Sequence, residues 1–498
     1  MAGLSLYGDI TKLLMGSNQI QLQHRLESVK ILPPYGDNPP HLYGAITTEG
    51  IARAEITAPG RHRVFCMAVS TPDFRDRGKP SSWSAQLDTL ASGANDEEKR
   101  LIIVAAGNTK LGKRHEYPDS NQTEGIHDPG QSWNALTVGA FTEKNNIDLM
   151  QYPGWNIVAP FGDLSPSSCT SFLWAKQWPI KPDIAMEGGN MAINPGNGLA
   201  DYLDSLSLLS TNRQFTIRPF DIMHDTSAAT ALAARMAIML QSRYSQYWPE
   251  TIRGLLAHSA TWTEAMQARF APFNNKRNFE NLLRYCGYGV PNFNEAMWSA
   301  QNSLTLVAQD AMQPFDKVEN KFKLRDMNFH TIPWPREVLE ELGETPVEMR
   351  ITLSYFIEPN PGERGWSRKY SYASHGFRFD VRRPIETIDD FRSRINRLAR
   401  DEESGINSGG NDKGWLLGPN LRKRGSLHSD IWSGTAVDLA QRGFIAVFPV
   451  IGWWRERPKL ARWNKLARYS LIISIKTPET DIDLYTPVTN LISTEINL

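Results

Sequence analysis

The chain has 498 residues, of which 41% are hydrophobic and 22% charged, a composition typical of a soluble globular protein with two or three domains. Lysine plus arginine and aspartate plus glutamate both total 54, so the balanced charge favours neither nucleic acid nor an anionic membrane as a partner. No apolar run approaches the roughly 18 residues of a membrane span, and Cys66, Cys169 and Cys286 have neither disulfide-framework nor metal-site spacing. With no signal sequence at its start, the chain is expected to be cytoplasmic, without cofactor or metal.

Strand-like and helix-like segments alternate along the first part of the chain. Strands are predicted at 22–32, 63–70, 101–106 and 136–141. Helices are predicted at 43–56, 83–94 and 248–259. The segments at 63–70 and 101–106 are interpreted as strands buried on both faces, because each is essentially a continuous apolar run. The alternation therefore predicts an α/β fold, a mostly parallel sheet with helices on both faces.

The pattern changes at about residue 296. Further strands are predicted at 347–356, 375–381, 444–451 and 469–475, with a helix at 388–401. These strands mostly alternate apolar and polar residues, and Gly/Pro-rich connections separate them. We therefore expect an α/β domain over 1–295 and a C-terminal antiparallel β-sandwich domain over 296–498.

One short stretch, Met223–Thr230, leads into a run of strong helix formers rich in alanine. Thr226 and Ser227 are good N-cap residues, which predicts that the helix begins there. A serine at this end of a helix lies where the helix dipole stabilises a developing negative charge, a favourable place for a nucleophile. The simpler interpretation is an N-capping serine on a buried helix.

A second polar residue, Asn108, follows the strand predicted at 101–106 after a single glycine. On its own it is equally well interpreted as a turn residue. Amide hydrolysis needs a nucleophile, a base and hydrogen-bond donors for the oxyanion, and Ser227 and Asn108 could supply the first and the third. In a parallel sheet both would lie at the carboxyl edge, where ligands bind.

Four motifs in order resemble those of the subtilisin-like serine peptidases, the subtilase family. They are Val104–Asn108, Asn134–Ala140, Lys181–Ile184 and Asp225–Thr230. The resemblance implies a serine endopeptidase with Ser227 as nucleophile and Asn108 in the oxyanion hole. In the last motif, Asp225 stands where the family has glycine, a change that removes no chemistry because Asp tolerates unusual backbone angles.

The resemblance also implies a polypeptide substrate. The segment Cys66–Ser70 resembles the family's S-L-G strand, so Ala68, Val69 and Ser70 are expected to pair with an extended peptide through their backbone. Ala106 and Gly107 are expected to contribute from the neighbouring strand. The alternative for this segment is a strand that serves only the core.

The base expected in this family is missing from the sequence. No H-G-T motif is present, and Met1–Gly3 resembles the residues that closely follow it, so we expect an N-terminally truncated subtilase without its catalytic Asp and His. His224 is a weaker alternative base, because His224, Asp225 and Ser227 are too close in sequence to form a triad. The remaining histidines before Ser227 are His24, His41, His62, His115 and His127.

Two other classes of function stay open at this stage. A pseudo-peptidase could bind extended peptide or a partner protein without cutting it. The C-terminal domain could instead bind carbohydrate or a partner, and Trp366, Trp453 and Trp454 could form a recognition patch, although core or edge packing is the favoured interpretation of these residues. The basic run 455–468 is expected to be a solvated face rather than a nucleic-acid site. The activity of a cytoplasmic peptidase would also need to be regulated, for example by a partner protein, and the sequence does not identify such a partner.

Overall fold

A four-stranded parallel sheet is the central element of the first part of the chain. The computed structural model describes residues 1–478 apart from 18, 73, 75, 274, 299–302, 363, 366–367 and 404–411. The chain divides into two compact units, Met1–Phe293 and Asn294–Leu498. The border expected from the sequence, between 295 and 296, lies two residues further along.

The first unit mixes helices with short strands. Its helices are α1 (Ala2–Tyr7), α2 (Ile10–Leu14), α3 (Tyr43–Thr57), α4 (Ser82–Ser92), α5 (Asp119–Thr123), α6 (Asp225–Arg243), α7 (Pro249–His258), α8 (Glu264–Phe270) and α9 (Lys276–Cys286). Its strands are β1 (Val64–Met67), β2 (Leu101–Ala105), β3 (Leu136–Phe141), β4 (Asn156–Ile157), β5 (Ile184–Glu187), β6 (Ala192–Ile193), β7 (Ala200–Asp201), β8 (Leu208–Thr211), β9 (Phe220–Met223), β10 (Ala260–Thr261) and β11 (Val290–Pro291).

The main sheet has the order β1-β2-β3-β5, and every neighbouring pair is parallel. Strands β2 and β3 are buried along their whole length, and the continuous apolar sequence of β2 predicts its burial. Ser81 caps α4, since its hydroxyl accepts a hydrogen bond from the Ser84 amide. The expected α/β fold with a mostly parallel sheet is therefore confirmed for this unit.

Helix α6 packs across all four strands of this sheet. Its alanines make the close approach possible: Ala228, Ala231 and Ala237 are completely buried. Helix α1 packs against α6 in turn, where Leu4 lies in a cluster with Leu208 and two of these alanines. A larger side chain at either of these two alanines would overpack the contact with Leu4 and Leu208.

Strands β8 and β9 pair as an antiparallel hairpin just before α6. Two local predictions about the first unit are wrong. Residues 22–32 form no strand, although their sequence favours one. Helix α6 also begins earlier than predicted, with His224 as N-cap, so Thr226 and Ser227 lie inside its first turn.

The second unit is built mainly from long strands. Its strands are β12 (Ser303–Met312), β13 (Phe315–Val318), β14 (Lys321–Leu324), β15 (Asn328–Thr331), β16 (Pro346–Tyr355), β17 (Gly376–Val381), β18 (Leu427–Thr435), β19 (Phe444–Val450) and β20 (Ala467–Lys476). Its helices are α10 (Phe293–Met297, beginning one residue before the unit), α11 (Arg336–Glu341), α12 (Ile388–Glu403), α13 (Pro419–Arg422), α14 (Ala436–Ala440) and α15 (Trp453–Glu456).

These strands form two antiparallel sheets, in the orders β12-β20-β16-β18 and β15-β19-β17, besides the hairpin β13-β14. Phe377 of the smaller sheet contacts Tyr355 and Tyr469 of the larger one. The antiparallel pairing agrees with the sequence, while the β-sandwich itself stays a prediction. Trp453 and Trp454 are buried, which fits core packing, and Trp366 lies outside the described residues.

Candidate active site

The carboxyl end of β2 and the first turn of α6 meet in one place. Asn108 follows β2 after two residues, and its side-chain oxygen Oδ1 accepts two hydrogen bonds from Thr226. The donors are the backbone N–H at 3.1 Å and the hydroxyl at 2.6 Å. Ser227 is the next residue along the helix, so the structure brings Asn108 to the neighbour of the predicted nucleophile.

These two hydrogen bonds determine the orientation of the Asn108 amide. A backbone N–H can only donate, so the atom facing it must be the carbonyl oxygen and not the NH₂ group. Nδ2 then points away from Thr226, and it donates no hydrogen bond to any residue that the structure describes. A free, oriented N–H donor beside a serine is what an oxyanion hole requires.

Asp225 begins α6 with a backbone angle φ of +69°, in the left-handed region. This conformation normally favours glycine, and aspartate is among the few other residues that tolerate it. The Asp225 amide also donates to Gly188 O at 2.7 Å, and a Cβ at Gly188 would lie 3.0 Å from Asp225 O. The turn before Ser227 therefore depends on the unusual backbone of Asp225 and on the absence of a side chain at Gly188.

The Asp225 carboxylate is directed into a buried polar cluster. Arg114 binds it with two nitrogens, at 3.0 and 2.9 Å, and the Tyr202 hydroxyl donates to it at 2.9 Å. His224 stacks on the Tyr202 ring with centroids 3.7 Å apart, and its Nδ1 is 3.4 Å from Asp225 Oδ1. Burial alone would raise the pKa of Asp225, but the contact with His224 and the ion pair with Arg114 outweigh it and lower that pKa. Asp225 is thus an anion held by Arg114.

Ser227 itself is half-buried, and its hydroxyl makes no hydrogen bond to any described residue. None of the other candidate bases reaches it in a recorded hydrogen bond: His24 contacts Ser5 O, and His224 is stacked on Tyr202. Across the described part of the chain, no side chain is thus hydrogen-bonded to Ser227, the predicted nucleophile.

The backbone expected to bind substrate lies at the same edge of the sheet. Ala68, Val69 and Ser70 follow β1, while Ala106 and Gly107 follow the adjacent strand β2. The two strands are parallel with Met67 opposite Val104, so the residues beyond their carboxyl ends are also neighbours. Their role in binding stays a prediction.

Gly107 is closely covered by His127. Its φ is +96°, and a Cβ added there would lie 2.3 Å from the His127 ring. Burial lowers the pKa of His127 to about 4, so this imidazole is neutral at pH 7. Phe74 stacks on the outer side of the ring, with centroids 6.3 Å apart.

Sequence patterns do not identify Arg114 or Tyr202 as parts of this region. Arg114 and Tyr202 are 111 and 23 positions from Asp225, and no local pattern links them to it. The available signal was the aspartate in the glycine position of the last motif, since a buried carboxylate requires a cationic partner. That signal predicts a cation but not which one.

Among the described residues, no group of three or more His, Cys, Asp or Glu side chains could hold a metal ion. Within the same residues, no helix has both the length and the apolar character needed to cross a membrane. The expected cytoplasmic location stays a prediction.

Polar side chains gather at the carboxyl ends of the parallel strands of this unit. The unit therefore belongs to the class of α/β proteins that bind ligands at the carboxyl edge of a parallel sheet. Residues 5–289 match the model of the subtilase family, peptidase S8. The match covers more than half of the chain, and the chain belongs to the subtilase family. A comparison with curated proteins found no match.

Three solved protease structures align with part of the chain. The prenylagaramide maturation protease PagA is 15% identical over 51% of this chain and 66% of its own, with a TM-score of 0.31. The self-cleaved protease domain of PatA is 18% identical over the same shares, with a TM-score of 0.30. A lanthipeptide protease is 14% identical over 54% of this chain and 68% of its own, with a TM-score of 0.32. The chain spans slightly less than two thirds of the first two proteins, and family membership rests on the family match alone.

Proposed function

We propose that the first unit is a serine endopeptidase domain that acts on polypeptides, with Ser227 as the acyl-transfer nucleophile and Asn108 as the oxyanion donor. The observation that carries the proposal is the pair of hydrogen bonds from Thr226 to Asn108 Oδ1. They orient the amide so that Nδ2 remains available next to Ser227. The class of reaction is inferred from membership of the subtilase family, and the roles of Ser227 and Asn108 are inferred from the contacts at the site.

Each group has a defined part in the proposed reaction. The Ser227 oxygen attacks the carbonyl carbon of the scissile peptide bond, and the carbonyl oxygen becomes an oxyanion. Asn108 Nδ2 donates a hydrogen bond to that oxyanion, helped by the positive end of the α6 dipole. Arg114 neutralises Asp225 and so keeps an uncompensated negative charge away from the oxyanion.

The proton of Ser227 has no acceptor among the described residues. A serine enzyme deprived of its base retains only the rate enhancement supplied by binding and the oxyanion hole. We therefore propose that residues 1–498 alone react slowly and that an external base restores much of the rate. General-base catalysis contributes roughly 10²–10⁴-fold, which is the range open to such rescue.

The test is to label the purified chain with a fluorophosphonate, with and without imidazole as an external base. We expect labelling at Ser227 that imidazole accelerates by about 10²-fold and that Ser227→Ala abolishes. Asn108→Ala should lower the imidazole-assisted rate by roughly 10²–10³-fold, as the loss of such a donor does in subtilisin. Asn197→Ala, in an exposed loop, is the matched control. Labelling at another residue, or a rate insensitive to Asn108→Ala, would contradict the proposal.

A second function is peptide binding without cleavage, which is favoured because the Ser227 hydroxyl has no hydrogen-bond partner among the described residues. In that case an extended peptide would bind along Ala68–Ser70 and remain intact. Affinity for a peptide should then survive Ser227→Ala, and imidazole should produce neither labelling nor cleavage. Cleavage that depends on imidazole and on Ser227 would exclude this alternative.

A further inference from the structure

Beyond their paired residues, the backbones that continue β1 and β2 are joined by a third segment rather than by each other. The register of β1 on β2 ends at Met67 and Val104. The His127 N–H donates to Ala106 O at 2.9 Å, and the Thr71 N–H donates to Asp128 O, also at 2.9 Å. Residues 127 and 128 therefore lie between the continuation of β1 and the continuation of β2.

This segment lies beside the candidate active site. Gly107 immediately precedes Asn108, whose side chain contacts Thr226 next to Ser227. In the proposed reaction, the scissile carbonyl carbon lies at the Ser227 oxygen and the carbonyl oxygen at Asn108 Nδ2. The Cβ of the residue that bears this carbonyl is two bonds away from the carbon, about 2.5 Å. When the peptide pairs with Ala68–Ser70, the side chain of that residue therefore begins between this backbone and Gly107.

The imidazole of His127 already occupies the space against Gly107. A Cβ added to Gly107 would lie 2.3 Å from His127 Cγ and 2.6 Å from His127 Cβ and Nδ1. These distances are far below van der Waals contact, so the ring lies directly against the Gly107 backbone. His127 is 7% exposed. On this side of Gly107 the structure therefore has a filled space and not an open pocket.

The His127 ring is also held in its place. Phe74 stacks on it, with an interplanar angle of 9°. Phe74 packs in turn on Gly125, where an added Cβ would lie 3.2 Å from Phe74 Cβ. The next residue, Asp128, accepts a hydrogen bond from the Ser81 hydroxyl at 2.5 Å. A side chain that needs the space of the imidazole must displace Phe74 or disturb this turn as well.

The contribution of His127 is volume rather than charge. Burial lowers the pKa of His127 to about 4, so the ring is neutral at pH 7. A protonated imidazole in this place would attract an acidic side chain of the substrate, whereas a neutral one provides no ionic attraction. The expected selection is therefore by size.

We propose that His127, supported by Phe74, is a specificity-determining residue that restricts the residue before the scissile bond to glycine. Glycine places no side chain against the imidazole, alanine needs a small displacement, and a large residue must move both rings. The inference rests on the proposed peptidase function and names its substrate class, polypeptides cut on the carboxyl side of glycine.

The test uses the full chain with imidazole and three peptidyl phosphonate diphenyl esters. The esters have the same peptide and differ only in the residue that carries phosphorus, an analogue of glycine, alanine or phenylalanine. The Ser227 oxygen bonds to phosphorus, phenoxide leaves, and imidazole takes the serine proton. A small fluorophosphonate without a peptide measures the reactivity of Ser227 independently of this specificity.

Two variants enlarge the space, His127→Ala and Phe74→Ala. Their matched controls are His62→Ala, at an exposed histidine, and Phe161→Ala, at a phenylalanine that is 55% exposed. Thermal unfolding identifies the variants that fold, and Phe74→Ala decides the outcome if His127→Ala does not. The ratio of the rates for two esters on one variant is the measured quantity, because a general disturbance of the site slows both esters alike.

On the unchanged chain and on both controls, we expect the glycine ester to label Ser227 at least about 10²-fold faster than the phenylalanine ester, with the alanine ester between them. His127→Ala and Phe74→Ala should each reduce this ratio by at least about tenfold, because the larger side chain gains room.

Two results would overturn the inference: a phenylalanine ester that labels the unchanged chain as fast as the glycine ester, or a ratio that neither variant changes. With either result, labelling of Ser227 by the small fluorophosphonate would leave the proposed peptidase function intact. Failure of that reagent to label Ser227 in the presence of imidazole would reject the proposed function and this inference together.

Discussion

Arg114 and Asp225 are joined by two hydrogen bonds across 111 positions of the chain, and this ion pair lies immediately before the turn that carries Ser227. Both side chains are almost completely buried, with 4% and 11% of their surfaces exposed. Because Asp225 also has the positive φ that starts α6, the pair links the backbone geometry of the candidate site to a buried charge balance. Removal of either partner leaves the other charge uncompensated in a region of low dielectric.

We therefore expect Arg114→Met to lower the free energy of unfolding by roughly 3–5 kcal/mol, the usual cost of an uncompensated buried charge. Urea denaturation measures this loss. Arg218→Met is the matched control, since the pair between Arg218 and Asp221 is largely exposed and should contribute less than about 1 kcal/mol. Similar losses in the two variants would show that the Arg114 pair has no special role in stability.

The close contact between Gly107 and His127 leads to a second prediction, on the effect of a side chain at position 107. Gly107→Ala adds a Cβ only 2.3 Å from the imidazole, at a φ of +96° that other residues rarely adopt. We expect the free energy of unfolding to fall by about 1–3 kcal/mol, because the backbone is strained and His127 is displaced. Gly112→Ala is the control because nothing lies within 4 Å of its added Cβ. Equal thermal stability of the two variants would contradict this view of Gly107.

His127 should make stability depend on pH in a defined window. In the unfolded chain its pKa is about 6.5, whereas burial lowers it to about 4 in the folded protein. Between these two pH values the unfolded state binds a proton that the folded state does not bind. The contribution of neutral, buried His127 to stability is therefore complete above about pH 6.5 and is lost as pH falls towards 4. The loss amounts to at most about 3 kcal/mol.

His127→Gln should remove this part of the dependence of the unfolding free energy on pH. His62→Gln, at an exposed position, should retain it. Denaturation at several pH values between 4 and 7 measures the slope, and NMR titration of the imidazole reports the folded pKa directly. A His127 that titrates near 6.5 in the folded protein would contradict the prediction.

The parallel sheet could be predicted because its strands are local features of the sequence. The run that became β2 is apolar throughout, which is typical of a strand buried on both faces. Segment 22–32 shows the limit of that reasoning. It has the residues of a strand, but a strand also needs a hydrogen-bonded neighbour, and none is present among the described residues.

The candidate site was predictable to a similar extent. Ser227 and Asn108 lie in short motifs at the ends of recognisable elements, and the structure brings Asn108 to Thr226 beside Ser227. Arg114 and Tyr202 contact Asp225 only through the folding of distant loops. The early start of α6 was missed because an aspartate with a positive φ in the first turn of a helix is uncommon.

The hydrogen bond from the Thr226 hydroxyl to Asn108 Oδ1, at 2.6 Å, offers a test of the proposed role of Asn108 as oxyanion donor. Thr226→Val keeps the shape of the side chain but removes this donor, so the amide retains only the weaker backbone contact at 3.1 Å. We expect the imidazole-assisted labelling of Ser227 to slow by about tenfold, since a poorly oriented donor stabilises the transition state less well. Unfolding free energy should fall by only about 1–2 kcal/mol. Thr226→Ser keeps the hydroxyl and should label at nearly the original rate, which separates the loss of the hydrogen bond from a general disturbance of the helix. A labelling rate that is unchanged in Thr226→Val would show that the orientation of Asn108 does not depend on this hydroxyl.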